Sequence, residues 1–297
     1  MSDQPPQQEF GLGYVPDLAD MRDYSKEDKE VKEIFNKLSL ETDPTAIPPT
    51  NDYRSRFSGV RSQGSLGSCT GFSSIVGVLE YYYKNTNNDI TQFSPLFQYK
   101  MTRNLMGLKG DTGASIRASL KSLAVYGAVP EKEYPYTTDL NRFDLEPNEN
   151  LKFLAQNFQA LKYIRVDQRN MTTADVLKEL RKYSAANIPI TFGFTVYKDS
   201  WNQANSSSDG AFPFPASTDT TVGGHAICIA GHSDTKVVTN RKDGSKTTGA
   251  FLFKNSWGTQ WGERGFGWLP YKYIDQQLAM DFWLLTSGEW LDLRVFN

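Results

Sequence analysis

The residues of this chain with chemistry to offer are a cysteine at a turn–helix junction, two histidines and an asparagine that closes an apolar strand. Cys69 lies in Gln63-Gly-Ser-Leu-Gly-Ser-Cys-Thr-Gly-Phe72, behind a glycine-serine turn and ahead of a helical pattern. A thiol attacks a carbonyl carbon as its thiolate, so its pKa must fall well below the free value of about 8.5. A helix N-terminus does part of that, carrying roughly half a positive charge. A neighbouring imidazolium does the rest and later protonates the leaving amine. A third group must orient the imidazole, for which an amide oxygen suffices, and a donor besides the Cys69 N–H must meet the developing oxyanion. His225 follows Thr-Val-Gly-Gly and opens an apolar strand, and Asn255 ends Ala-Phe-Leu-Phe-Lys just before Ser256, Trp257 and Gly258. An indole there can shield an Asn–His hydrogen bond from water and strengthen it. Gln63 precedes Cys69 across the turn, with a side-chain amide to donate. Taken alone, a single cysteine is ordinarily a packed, inert side chain, and Cys228, inside His-Ala-Ile-Cys-Ile-Ala-Gly, reads that way. His232, at the end of the same strand, reads as a surface or turn histidine, and Trp261 and Trp268 as core.

The background composition narrows the class of function. Apolar residues make up 39% and aromatic residues 13% of the 297-residue chain, enough for a packed core and against disorder. A net charge of -2 leaves no basic footprint for nucleic acid, and no apolar run reaches the length of a membrane span. Two cysteines are too few for a disulfide framework, so the core must hold the fold. Met1 leads into Ser-Asp-Gln-Pro-Pro-Gln-Gln-Glu-Phe, which lacks the cationic and apolar parts of a secretory leader. The expected location is the cytoplasm, or outside the cell by export without a signal peptide. The chemistry outlined above needs no metal and no organic cofactor.

The elements that must carry these residues fall into three stretches. Residues 1–50 read as a head: a polar proline-rich start, an irregular Gly-Leu-Gly-Tyr-Val-Pro stretch, a short amphipathic helix with Val31, Ile34, Phe35 and Leu38 on one side, and a proline-studded strap. Residues 51–160 are helical. Phe72, Ile75, Val76, Leu79, Tyr82 and Tyr83 recur at helical spacing, Ser94-Pro95 starts a second helix, and Ile116, Leu120 and Leu123 mark a third that stops at Gly127. Residues 161–297 open with a fourth helix, Ala174-Asp-Val-Leu-Lys-Glu-Leu. Beyond Ile188 they turn to short β-rich runs, with a hairpin signal at Asp243-Gly244 and a long polar loop over 202–221. A helical half followed by a sheet half predicts an α+β fold.

Three segments, Val-Arg-Ser-Gln-Gly-Ser-Leu-Gly-Ser-Cys-Thr-Gly-Phe-Ser, Gly-Gly-His-Ala-Ile-Cys-Ile-Ala-Gly-His and Phe-Lys-Asn-Ser-Trp-Gly-Thr-Gln-Trp-Gly-Glu-Arg-Gly-Phe-Gly, together resemble the papain family of cysteine peptidases. The resemblance runs from about Asn51 to the early 270s, and the histidine follows the cysteine by slightly more than the usual 130–150 residues or so. It implies a two-lobed fold, with a helical left lobe, an antiparallel β-barrel-like right lobe and the active-site cleft between them. It also implies Cys69 as nucleophile, His225 as acid and base, Asn255 as the orienting amide and Gln63 as oxyanion donor, acting on peptide or protein substrates. Trp257 matches the tryptophan over the asparagine. Gly113 and Ala114 match the backbone that pairs with extended substrate. Ser115, Ile116, Gly193 and Ala226 fall around the pocket for the second side chain before the scissile bond, which suggests an apolar or aromatic preference. The sequence departs from the family at Leu66 and Asp111, usually cysteines, at Thr70, usually a large aromatic, and at Gly224.

The head is too short for the long helical prosegment of most papain-like zymogens. Its Gly-Tyr-Val-Pro-Asp-Leu-Ala-Asp-Met-Arg-Asp-Tyr stretch resembles that of a bacterial, xylellain-like subgroup. Two readings follow: a strap that occupies the cleft, with Tyr14 or Tyr24 as the inserted side chain, or a structural strap packed elsewhere. The leading functional expectation is an endopeptidase, since only His232 remains for the histidine-bearing loop of relatives that trim dipeptides. The rivals are a ligase or transpeptidase using the same intermediate, an arylamine acetyltransferase, which calls for aspartate rather than asparagine, and an inactive binding module.

Overall fold

The computed structural model describes residues 10–18, 20, 23–25, 27–29, 32, 47–86 and 89–288. The helix expected through Val31, Ile34, Phe35 and Leu38, and the strap up to residue 46, lie outside the described residues. Helix α1 (Cys69–Phe72) runs without a break into a π-helical segment (Ser73–Leu79) and α2 (Glu80–Thr86). The sequence pattern predicts one α-helix here, and the departure has local causes. Ser74 Oγ takes the Thr70 carbonyl at 2.8 Å, and Lys254 Nζ takes the Val76 carbonyl at 2.9 Å. Carbonyls drawn off in this way are lost to the regular ladder, and a wider turn accommodates them. The same ammonium bonds the Ser58 carbonyl, whose hydroxyl donates to Glu80, and Arg61 closes the network on Glu80. The helix that begins at Cys69 is thereby tied to the strand end next to Asn255.

Helices α3 (Pro95–Leu105) and α4 (Ile116–Val125) pack beside this long helix. The first starts at Ser94-Pro95 as the sequence predicts, and both open on a serine cap. Ser94 and Ser115 accept hydrogen bonds from the amides three residues on, and Pro95 takes the first helical position. α5 (Glu149–Ala155) follows, and α6 (Thr173–Ala185) opens on a reciprocal Thr172–Asp175 cap. α7 (Lys198–Asn205) runs into the stretch expected to be loop, and α8 (Lys272–Asp275) is a single turn.

The strands are β1 (Thr50–Asp52), β2 (Ala160–Arg165), β3 (Ile190–Tyr197), β4 (Thr221–Thr239), β5 (Lys246–Lys254), β6 (Phe266–Pro270) and β7 (Ala279–Gly288). They form one antiparallel sheet in the order β2-β7-β3-β4-β5-β6, with β1 added along β4. β4 and β5 meet in a hairpin at Asp243-Gly244, with Gly244 at φ +73° as such a turn requires. The fold is α+β with a papain-like division into helices and sheet, but the sheet is open. β2 and β6 stay at opposite edges and do not pair, where a barrel-like closure was expected. His232 is also not at the surface: it is buried, with Ser184 Oγ on Nδ1 and the Pro48 carbonyl on Nε2, each at 2.9 Å. Cys228 packs in the core as expected. Among the described residues no helix is long and apolar enough to cross a membrane.

The long helix meets β4 at Gly77, where an added Cβ would stand 2.8 Å from the Cβ of Cys228. Gly77→Ala therefore lowers stability by about 1–3 kcal/mol through overpacking, read as a lower urea midpoint. An unchanged midpoint would mean that helix and strand have room to part.

Candidate active site

Three separate elements deliver the residues singled out in the sequence to one place. Cys69 opens α1, His225 lies in β4 opposite Phe194 of β3, and Asn255 is the first residue past β5. The β4–β5 register sets Cys228 opposite Lys254, so the chain leaves β5 beside the histidine. Asn255 Oδ1 and His225 Nε2 are 2.8 Å apart, and the same oxygen accepts the Ser256 amide. Trp257 lies nearly parallel to the imidazole with centroids 4.6 Å apart, and Trp201, Phe212 and Trp261 pack around the indole. This apolar cover keeps water from the Asn–His bond. Nδ1, the other ring nitrogen, is buried and makes no hydrogen bond, to the thiol or to any other group.

Cys69 is fully buried, in an apolar cluster of Tyr14, Ile116, Leu120, Ala226 and Trp283. The thiol thus touches the residue next to His225 in β4. Burial pushes it up to about 11, against the amides of Ala226, Gly13, Thr70 and Cys69 itself, which favour the thiolate. Burial likewise lowers His225 to about 4, against the Asn255 hydrogen bond. Both groups are therefore neutral at pH 7. Gln63 is buried too. Its Nε2 donates to Leu66 O at 2.8 Å and to Gly11 O at 2.9 Å, while its Oε1 accepts from Ser256 Oγ.

What buries the site is the head. Phe10 stacks on Trp257 at 4.9 Å, Gly13 O accepts from the Ala114 amide at 2.8 Å, and Val15 N donates to Ala114 O at 3.0 Å. Tyr14 N donates to the Gly224 carbonyl, so the segment is hydrogen-bonded to both walls. A Cβ on Gly11 would fall 2.2 Å from Leu66 O, and one on Gly13 only 1.8 Å from Gly67 O. The backbone lies that close because nothing but glycine stands there. Of the two candidate tyrosines, Tyr14 enters the pocket, whereas Tyr24 is half exposed and its carbonyl accepts from Arg165 N.

The remaining expected positions divide by role. Ile116 and Ala226 line the tyrosine pocket, and Gly193 forms its flat floor: a Cβ there would sit 2.1 Å from the Tyr14 ring. Ala114 supplies the backbone pairing. The Gly113 amide instead donates to Tyr99 Oη, and Ser115 caps α4. Asp111, where a family cysteine is missing, accepts from the Gly67 amide and Tyr99 Oη, bracing the turn before Cys69. Thr70 is buried, with its hydroxyl unpartnered. Sequence reading missed Leu120 and Trp283 in the pocket, and it missed Asp281, which accepts from Tyr14 Oη at 2.6 Å. The signal available was an aspartate inside the apolar run Leu-Ala-Met-Asp-Phe-Trp-Leu-Leu. Among the described residues no cluster of histidine, cysteine or carboxylate side chains could hold a metal.

The comparisons with known proteins agree with this architecture. Residues 47–279 match the sequence profile described as papain family cysteine protease. An uncharacterized peptidase C1-like protein of Acanthamoeba polyphaga mimivirus is 30% identical over 285 residues, spanning 93% of this chain and 86% of the viral one. A cathepsin L-like proteinase of Fasciola hepatica is 24% identical over 235 residues, spanning 78% of this chain and 63% of that protein. The crystal structure of xylellain, a cysteine protease from Xylella fastidiosa, superposes with a TM-score of 0.74 at 30% identity, covering 97% of this chain and all of that one.

With burial holding the thiol near 11, the thiolate ultraviolet absorbance that the full chain has and its Cys69→Ala variant lacks is expected only above about pH 9–10. The same difference already complete near pH 7 would mean that a thiolate–imidazolium pair exists beneath the head.

Proposed function

The chain belongs to the papain family of cysteine proteases and is a cysteine peptidase with peptide or protein substrates; we propose that it is an endopeptidase worked by Cys69, His225 and Asn255 and held inactive by residues 10–17. The observation that carries the first part is the Asn255–His225 bond at 2.8 Å. It occupies Nε2 and leaves Nδ1 as the nitrogen able to exchange a proton with a thiol that packs against the next residue, Ala226. The Cys69 thiolate adds to the substrate carbonyl. The oxyanion takes the Cys69 amide and the Gln63 Nε2 hydrogen that Gly11 O now holds. The protonated imidazole passes its proton to the leaving amine as the C–N bond breaks, giving a thioester. His225 then takes a proton from water, the hydroxide adds to the thioester carbonyl, and the acid leaves as the thiolate returns.

The second part rests on occupancy and desolvation acting together. The head fills the oxyanion donor, the backbone edge at Ala114 and the pocket at once. It also removes water from both ionisable groups, which favours the neutral pair over the reactive ion pair. This reading divides the chain into a regulatory head (1–50), a helical lobe carrying the nucleophile (51–160) and a β-rich lobe carrying histidine and asparagine (161–297).

Gly13→Val tests it within the full chain, because a side chain there collides with Gly67 O and expels the segment. Hydrolysis of a fluorogenic dipeptide amide is expected to rise in kcat/KM by about tenfold or more over wild type. Adding Cys69→Ala is expected to cut the released activity by on the order of 10⁴-fold. Equal activity with and without Gly13→Val would sink autoinhibition. Activity that survives Cys69→Ala would sink the nucleophile, and no activity in either background would favour an inactive binding module.

A further inference from the structure

The pocket filled by Tyr14 ends in a charged group that an apolar or merely aromatic preference leaves unexplained. Asp281 is buried at its end. One carboxylate oxygen accepts from Tyr14 Oη at 2.6 Å and from the Asp17 amide at 2.8 Å, while the other lies 2.7 Å from Arg165 Nη1. Its backbone is strained to put it there. Asp281 has φ +59°, a left-handed conformation uncommon for a residue with a side chain. The pairing of β7 with β3 slips at this point. Gly193 faces Met280 and Thr191 faces Trp283, so β7 carries one residue more than β3 across the step. A bulge of this kind re-aims a side chain. Asp167 holds it in place by accepting both the Asp281 and Phe282 amides, and it is itself paired with Arg165. A fold that holds a strained bulge and a buried carboxylate beneath the site has over-determined that position.

We propose that Asp281 makes this a tyrosine pocket, so that the peptidase prefers substrates presenting a phenol as the second side chain before the scissile bond. The inference rests on the peptidase reading above and names its substrate class. When the head withdraws, the oxygen that held Tyr14 and Asp17 loses both donors, while Arg165 still stands on the other oxygen. A substrate tyrosine restores one of them, whereas phenylalanine fills the same apolar walls and leaves the acceptor unpaired. A site built around a hydroxyl discriminates strongly against the analogue lacking it. The charge balance argues against a cation. Arg165 already stands on Asp281 and Asp167, and Arg117, which pairs with Asp17 and Asp23 of the head, is left at the same pocket once the head is gone. Both guanidinium groups lie within 6 Å of the Trp283 ring, so a lysine or arginine side chain would enter beside two positive charges.

The test uses the full chain with Gly13→Val and Tyr14→Ala, so that its own tyrosine does not compete, and matched fluorogenic peptides differing only at that position. The expected order is tyrosine above phenylalanine by about tenfold in kcat/KM, with lysine below both. Asp281→Ala, or Asp281→Asn should the alanine variant fail to fold, is expected to bring tyrosine down toward the phenylalanine value. Equal rates for tyrosine and phenylalanine, or a preference for lysine, overturn the inference while leaving the peptidase intact. Protection of Cys69 from iodoacetamide by the corresponding peptide amides reads the pocket without catalysis. Protection about tenfold stronger by the tyrosine peptide, with no hydrolysis, supports the pocket and sinks the endopeptidase reading. Equal protection sinks the pocket.

Discussion

The arrangement depends on one buried hydrogen bond, between the side-chain oxygen of Asn255 and Nε2 of His225. An imidazole has two nitrogens, and a chemical role for one requires that the other be committed. The sheet arranges this through register rather than local sequence: β4 and β5 are paired so that the end of one strand falls beside the middle of the other. Lys254, the last residue of β5, then reaches across to the π-helical segment, and the helix N-terminus at Cys69 is fixed relative to the same strand end. Trp257 completes the device by excluding water from a bond that water would otherwise weaken.

That burial has a cost which bears on both reactive groups. A thiol and an imidazole in a dry cluster titrate away from each other, the thiol up to about 11 and the imidazole down to about 4. While the head is seated, burial therefore favours the neutral thiol and the neutral imidazole over the ion pair. The dipole of the helix beginning at Cys69 and the surrounding amides work in the opposite direction, but desolvation is the larger effect. A segment that only blocked the cleft would leave a reactive thiolate beneath it; this one lies close enough to dry the site.

The parts legible in the sequence are those where chemistry or local geometry dictates a residue type. Cys69, His225, Asn255 and Gln63 were singled out by the requirements of acyl transfer, and Ser94 and Gly244 each answer a requirement of a cap or turn, whereas Ser115, read as a pocket residue, caps a helix. What stayed illegible was decided by tertiary contact. The π-helical stretch carries a bond on its Val76 carbonyl from Lys254, contributed from far along the chain. His232 is buried because β1 and α6 cover it, which no property of its own strand announces. Tyr14 and Tyr24 could not be told apart, since the irregular head has no period and only the pocket distinguishes them. Asp281 was invisible for the same reason: its position comes from a bulge in β7, and β7 lay beyond the resemblance to known motifs.

The head sequence reads differently once its path is known. Gly11 and Gly13 look like turn formers, yet their task is to remove side chains where the backbone passes Leu66 and Gly67. Tyr14 is the one bulky residue between them and the exposed end of the segment, and it is sent where a flat glycine floor and a carboxylate await it. Asp17 and Asp23 then pair with Arg117 beside the pocket. These pairs are partly buried, and they add to a hold made by the buried phenol, the backbone bonds at Ala114 and Gly224, and the Gly11 carbonyl on Gln63. Every one of these contacts uses a group that an extended peptide also possesses. On the proposed reading the cap competes on the substrate's own terms, with the advantage of being tethered to the chain it covers.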